Sequence, residues 1–324
     1  MVGSVAAWVR RRPVASFFAF FLIFPFLVPY KALATQVLIY GLFALGFNLL
    51  YGYAGLLSFG HAAYFGLGAY GTGVVLARLH WESVWASLAV GLALAAAGGA
   101  LIGYFCLRRR GIYFAMLSLA FAQLLYFVGF QLTGLTGGDD GLRGIPVLAV
   151  GLGALSISLD SPITFYYFAL AVVGVAVAGL KRILDSPFGA VLQAIRENSG
   201  RATACGYDIN RVKLLSFVFS GAFAGLAGGL NALYLRIVPI DILYWTTSGQ
   251  VVMMALLGGA GTFFGPFVGA GVFLILEDVL SLFTERWQLV IGAVFVAFVL
   301  FMPRGIWGTL LERLPVPRSE AKEE

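Results

Sequence analysis

Long apolar segments recur along nearly the whole chain, and they constrain its fold more than any other feature. A membrane-spanning helix needs about 20 mostly apolar residues, because every backbone N–H and C=O must be paired inside the segment. Only 11% of the residues are charged, against about 25% in an ordinary soluble domain. The sequence therefore predicts an all-α, polytopic membrane protein with about 8–10 transmembrane helices, some of them broken at glycines. Ten apolar segments lie near 14–30, 33–51, 56–77, 84–107, 112–132, 163–184, 213–235, 249–264, 267–283 and 288–303.

The distribution of basic residues predicts the orientation. If the N-terminus is cytoplasmic, 16 of the 21 Lys and Arg residues fall in inner loops and at the two ends. Such an excess marks the cytoplasmic side of a membrane protein. We therefore expect a cytoplasmic N-terminus (1–13), one transmembrane domain (14–314) and a cytoplasmic tail (315–324). Within the domain, 185–212 is then a cytosolic loop and 133–162 an outer loop.

Two segments admit a second interpretation. Three arginines at 10–12, an apolar run and Ala32-Leu33-Ala34 resemble a secretory signal with its cleavage site. A retained first helix is favoured, because further apolar segments follow at once. The pair 249–264 and 267–283 is short and glycine-interrupted, so it fits either two spans or a re-entrant hairpin. Both alternatives return the chain to the same side.

Motifs for catalysis are absent from the sequence. It contains no Walker-type phosphate loop, no G-x-S-x-G and no H-E-x-x-H. With two histidines and two cysteines, neither a metal site nor a disulfide framework is indicated. We expect a chain that is not an enzyme, holds no metal or cofactor and binds no nucleic acid. Any energy must then come from a partner or an ion gradient, for which His61, Glu277 and Asp278 are the membrane ionisable candidates.

The cytosolic loop 185–212 has a helical pattern. Ser186 suits a helix N-cap with Pro187 at the first helical position, and Gly206 suits a left-handed helix stop. A stripe of apolar side chains on one face needs a surface to cover it. Packing on the chain's own inner surface is one interpretation, and docking on a partner is the preferred one. The stripe consists of Phe188, Val191, Leu192 and Ile195.

This loop resembles the coupling loop of ABC importer permeases, in their branched-chain amino-acid branch. The chain departs from the family pattern at Gly200-Arg201-Ala202, where an E-A-A pattern would align. The resemblance implies that the loop contacts the cytosolic ATPases. The residues that carry it are Ser186, Pro187, Phe188, Gly189, Ile195, Arg196, Glu197 and Gly206.

Four further stretches resemble the LivM family of these permeases. They are 48–70, 111–121, 136–146 and 302–308, and the whole series covers about 35–308 in the family's order. The resemblance implies a second related permease subunit, two ATPases that use ATP-Mg and a periplasmic solute-binding protein, in a bacterial inner membrane.

The resemblance implies the permease subunit of an ATP-driven ABC importer for branched-chain or related hydrophobic amino acids. Permeases of the same family for urea, short amides or aromatic acids are alternatives. An ion-coupled secondary transporter or a channel is an alternative from a different class.

Polar residues within or beside the spans are candidates for the solute path. Asn48, Ser58, His61 and Gln123 are of this kind. Their simpler role is hydrogen bonding between helices, worth about 0.6–2 kcal/mol each, with His61 as a core histidine. Outside, Asp139 and Asp140 are candidates for contact with the binding protein, or else cap backbone amides in a turn.

Overall fold

The computed structural model describes residues 13–152, 155–302 and 304–313. The expectations for the N-terminus before Pro13 and for the tail 315–324 lie outside these residues. Within them the all-α prediction is confirmed. The helices are α1 Pro13–Ile23, α2 Lys31–Asn48, α3 His61–Ala77, α4 Val84–Cys106, α5 Ile112–Gln131, α6 Thr133–Thr136, α7 Pro162–Leu184, α8 Pro187–Glu197, α9 Ser199–Ala204, α10 Ile209–Leu235, α11 Trp245–Gly258, α12 Gly265–Phe283, α13 Trp287–Phe301 and α14 Gly305–Arg313.

Each of the ten predicted segments coincides with one helix. Among the described residues, seven helical stretches are long and apolar enough to cross a membrane, so the chain is a multi-pass membrane protein. Helices α1, α3 and α11 are shorter, at 11, 17 and 14 residues. At 1.5 Å per residue they reach about 17–26 Å, less than the ~30 Å of a bilayer core. The seven stretches are Lys31–Tyr53, Val84–Cys106, Ile112–Gln131, Pro162–Leu184, Ile209–Leu235, Gly265–Phe283 and Trp287–Leu310.

Helix α2 forms the centre of the bundle. It is largely buried, whereas α13 is mostly exposed at the periphery. Helix α10 packs on α4, α3 and α2, and α12 lies along α2. Gly68 of α3 and Gly225 of α10 allow close contact, because a Cβ added at Gly68 would overlap the backbone of Gly225. Small residues take this role in membranes, where apolar side chains gain little by leaving lipid.

The glycine-interrupted pair is a helical hairpin. Helices α11 and α12 pack along each other across the turn 259–264. The segment before α11, 236–244, consists of short turns and a 3-10 helix, Ile240–Leu243, and its Val238 and Ile240 are buried inside the protein. Irregular backbone at membrane depth is tolerated only where protein covers it. With 19 residues, α12 has about the length of a full span, whereas α11, with 14 residues, is too short.

The predicted outer loop, 133–162, contains structure that the sequence did not predict. Strands β1 (Ala149–Leu152) and β2 (Leu155–Ser158) form an antiparallel hairpin. A separate bridge joins Leu142 to Val238 through two backbone hydrogen bonds of 2.9 and 3.0 Å. This bridge fixes the outer loop to the segment that precedes α11.

Candidate functional site: a glycine junction at one end of the bundle

Two chain breaks meet at one end of the bundle. In the first, 49–60, α2 passes through a π-helical turn, Leu49–Tyr53, into a non-helical stretch before α3. The second is the turn 259–264 between α11 and α12. Breaks of this kind occur frequently at functional sites and in transport paths. We call these two breaks, together with Asn48, α8 and α14, the glycine junction.

Asn48 connects the two breaks. Its Nδ2 donates to the carbonyl oxygen of Thr262 and its Oδ1 accepts from the Gly261 amide, both at 2.8 Å. The side chain is fully buried. A Cβ at Gly52 would lie 2.5 Å from the Gly261 nitrogen, so only glycine lets the breaks approach this closely. Asn48 thus makes the hydrogen bonds between chain segments that its simpler interpretation expects, while its place in the solute path stays a prediction.

The predicted cytosolic helix is present as α8. Ser186 is its N-cap residue and Pro187 its first residue, as expected. The Ser186 hydroxyl, however, donates to the carbonyl oxygen of Ile183 at 2.6 Å instead of capping an amide. Gly189 allows α8 to fold back on α7, because a Cβ there would overlap the carbonyl of Leu184.

The backbone at the end of the loop also has the conformation that the sequence predicts. Asn198 caps α9 by accepting a hydrogen bond from the Arg201 amide at 3.0 Å. Gly206 has φ +88°, the left-handed conformation expected of a helix stop. Space around Gly206 is open, so its backbone angle alone favours glycine.

The apolar stripe of α8 packs on the chain itself. Leu192 and Ile195 are 0% and 3% exposed, and the ring of Phe188 lies 5.7 Å from that of Phe219 in α10. The chain's own surface therefore covers Leu192 and Ile195, as the alternative interpretation has it, while contact of this loop with a partner stays a prediction. The face left open for a partner is the opposite one, which carries Ala190, Gln193, Ala194 and Glu197.

Arg196 joins α8 to both breaks. Its Nη1 donates a hydrogen bond to the carbonyl oxygen of Gly52 in the π-helical turn. A Cβ at Gly261 would lie 3.1 Å from the same nitrogen, and one at Gly55 would lie 3.2 Å from the Arg196 Cγ. The glycines therefore open a slot for the arginine between the two breaks.

His61 lies at the start of α3 as a buried core histidine. Its Nε2 is 2.8 Å from the Ser220 Oγ, and that hydroxyl donates to the carbonyl oxygen of Gly46 at 2.7 Å. Ser58 is also buried and accepts from the Gly60 amide at 3.2 Å. These contacts hold the first break against α2 and α10. Gln123 lies on α5, and its buried Oε1 has no hydrogen-bond partner among the described residues.

Asp139 and Asp140 are exposed in the outer loop, in a 3-10 turn. No cap by either carboxylate is seen in this described turn. The turn-capping alternative therefore gains no support from the structure. Contact with a binding protein stays a prediction.

Sequence reasoning missed the part that α14 takes in the junction. Gly305, with φ +69°, packs so closely under the turn that a Cβ would overlap Gly259. The ring of Trp307 lies 5.5 Å from that of Phe264. The available signal was the stretch 302–308, which was noted only for its resemblance to a family.

Comparisons with known proteins identify the family. The family described as "Branched-chain amino acid transport system / permease component" matches residues 30–299. The Escherichia coli "High-affinity branched-chain amino acid transport system permease protein LivM" is 29% identical over 90% of this chain and 73% of its own length.

More distant relatives extend the likeness. The "Probable branched-chain amino acid transport permease protein LivM" of Methanocaldococcus jannaschii is 24% identical over 79% of this chain and 83% of its own length. The E. coli LivH permease protein is 25% identical over 83% of this chain and 91% of its own length. No solved structure gives a significant match. Because one family model spans most of its length, the chain belongs to the permease component family of branched-chain amino acid transport systems.

Proposed function

We propose that this chain is the membrane-spanning subunit of an ATP-driven ABC importer that carries branched-chain or related hydrophobic amino acids across a bacterial inner membrane. The names of its relatives support the solute class. The observation that carries the mechanism is the hydrogen bond from Arg196 of α8 to the Gly52 carbonyl. It connects a helix outside the spans to a broken span.

The glycine junction gives this contact a mechanical role. A hydrogen bond from a guanidinium is stronger than one between neutral groups, so displacement of α8 moves Gly52. Asn48 then transfers the displacement to Gly261 and Thr262. Chain breaks absorb the accompanying φ and ψ changes, as hinges do in other switching proteins. Movement of α8 thereby changes the relative position of α2 and the α11–α12 hairpin.

The proposal includes partner proteins on both sides of the membrane. A second related permease subunit completes the path, and two cytosolic ATPases that use ATP-Mg contact the open face of α8. A periplasmic binding protein contacts the loop that carries Asp139 and Asp140. This chain then needs no catalytic site or cofactor of its own. Both its termini lie in the cytoplasm, in keeping with the distribution of basic residues.

One observation favours the secondary-transporter alternative. Glu277 and Asp278 line a cavity of about 320 Å³ together with Gln36, Tyr40 and Gln250. Ionisable groups of this kind within a span mark ion or proton routes in many transporters. Permeases for urea, short amides or aromatic acids differ from the main proposal only in solute.

Uptake of labelled leucine by the reconstituted complex separates these functions. We expect uptake to require ATP and the binding protein, and to continue when an ionophore collapses proton and sodium gradients. Glu277→Gln should leave this ATP-driven uptake in place. Uptake by this chain alone that stops with the ionophore or with Glu277→Gln would establish the secondary transporter instead. Ligand binding by the cognate binding protein then decides among leucine, urea, short amides and aromatic acids.

A further inference from the structure

A basic cavity lies beside α9 and the first break. Its volume is about 810 Å³, and its walls come from loops 55–59 and 107–111, from α9, and from the first turns of α5 and α10. Arg109, Arg110 and Lys213 line it. None of the proposed solute-path residues lines this cavity, so the transport mechanism leaves it unexplained.

The cavity carries an excess of positive charge. Three basic side chains, Arg109, Arg110 and Lys213, share its lining. The one carboxylate in the lining, Asp208, is paired with Arg211 at 3.0 Å. Helix α5 begins at the cavity wall without a side-chain cap, and the amides of its N-terminus add partial positive charge, whereas Asp208 caps the N-terminus of α10. These features together favour an anionic ligand.

An apolar groove begins where the basic cavity ends. Arg109 lines both, and the groove has a volume of about 550 Å³. It continues along α5 past Tyr113 and Met116, which are 69% and 58% exposed. The last residue lining it, Ala120, lies eight positions after Ile112, about 12 Å along the helix axis. The groove therefore extends from the charged end of α5 into the depth of the bilayer.

We propose that the basic cavity and the apolar groove together hold one anionic phospholipid. Its phosphate lies among Arg109, Arg110 and Lys213, and an acyl chain lies along α5. Basic pockets between transmembrane helices at the cytoplasmic surface suit anionic headgroups. A free anion or an acidic protein segment would use the charged cavity but leave the groove empty. Ser199 and Thr203 of α9 line the cavity, so the lipid contacts the same loop that carries α8.

The test uses the complete complex, purified from membranes that contain phosphatidylglycerol and phosphatidylethanolamine. Mass spectrometry of the retained lipid should show phosphatidylglycerol enriched over its share in the membrane. Arg109→Gln and Lys213→Gln should each lower this enrichment about fivefold, the effect of one basic residue near an anionic surface. Ala120→Trp, which fills the groove, should also lower it.

Arg108→Gln is the matched control. It removes a charge from the same loop, but Arg108 stacks on Tyr104 at 4.5 Å and does not line the cavity. An equal loss of enrichment in this variant would show that the lipid is held by the general positive charge of the surface and not by this cavity, which would overturn the proposal. Equally effective displacement by glycerol 3-phosphate, or no effect of Ala120→Trp, would show an anion site without a lipid chain. Enrichment that appears only after removal of the ATPases would identify the cavity as a protein contact.

Discussion

Arg196 and Gly52 are 144 positions apart in the sequence, yet the guanidinium of the first donates to the carbonyl oxygen of the second. Gly52 lies in the π-helical turn at the end of α2, the most buried of the spans. The helix predicted to lie in the cytosol, α8, is therefore hydrogen-bonded to the turn that ends the central helix of the bundle.

Replacing Arg196 should uncouple ATP hydrolysis from transport. Arg196→Gln loses a hydrogen bond to a charged donor, worth about 1.5–3 kcal/mol, so leucine uptake by the complex should fall about tenfold or more. ATP hydrolysis should persist, because the open face of α8 is unchanged. The control is Arg201→Gln on α9, an exposed position near α8. If both variants transport normally, the Arg196–Gly52 contact does not transmit movement.

Asn48→Asp should destabilise the permease. Aspartate keeps the acceptor for the Gly261 amide but cannot donate to the Thr262 carbonyl, and it buries a charge between the two breaks. We expect a loss of about 1–3 kcal/mol, measured by thermal unfolding in detergent. Gln131→Glu, the same chemical change at an exposed position, should stay within about 0.5 kcal/mol. Equal unfolding temperatures for the two variants would contradict a bridging role for Asn48.

His61 and Ser220 should behave as an energetically coupled pair. In a cycle of His61→Leu, Ser220→Ala and the double variant, we expect a coupling energy of about 0.6–2 kcal/mol. The order in which competing amino acids inhibit uptake should not change, because a core hydrogen bond does not contact the solute. A changed order of competitors without coupling would return His61 to the solute path.

The two faces of α8 should respond differently to substitution. Ile195→Asp places a charge in a buried site and should cost about 3 kcal/mol or more, which lowers the yield of folded permease. Ala194→Arg lies on the exposed face, so it should leave folding intact and weaken co-purification of the ATPases. Retention of the ATPases by a well-folded Ala194→Arg complex would show that they contact another surface.

Two glycines of the α11–α12 hairpin should differ in their tolerance of alanine. A Cβ at Gly269 would overlap the Met254 carbonyl, whereas one at Gly249 meets no atom within 4 Å. Gly269→Ala should therefore cost about 1–3 kcal/mol as an overpacked contact. Gly249→Ala should be neutral or slightly stabilising in thermal unfolding, since alanine favours a helix. Equal unfolding temperatures for the two variants would mean that α11 and α12 can move apart at Gly269 at little cost in stability.

The sequence predicts local structure well because local structure depends on local chemistry. Apolar length located the ten helices, and the Ser186-Pro187 start and the Gly206 stop of the cytosolic segment follow from N-cap position and backbone angles. The β1–β2 hairpin was missed, since the two strands are only four residues each and lie in a loop.

Long-range contacts were not predictable in the same way. The spacing of Leu192 and Ile195 shows that α8 has an apolar face, but it does not show whether that face meets the chain itself or a partner. A polar side chain such as that of Asn48 suits both a residue that lines the solute path and one that hydrogen-bonds two chain segments together. The bridge becomes visible only through the approach of Gly261 and Thr262, more than 200 positions later.

The short length of α11 has a consequence for how the chain enters the membrane during synthesis. A nascent segment partitions into lipid by itself when about 20 apolar residues are available. Helix α11 is only 14 residues long in all, and its first turn contains the polar residues Thr246, Thr247 and Ser248. It therefore depends on α12, which follows after a six-residue turn and packs along it. We therefore expect the two helices to enter the bilayer as one unit, after the ribosome has completed both.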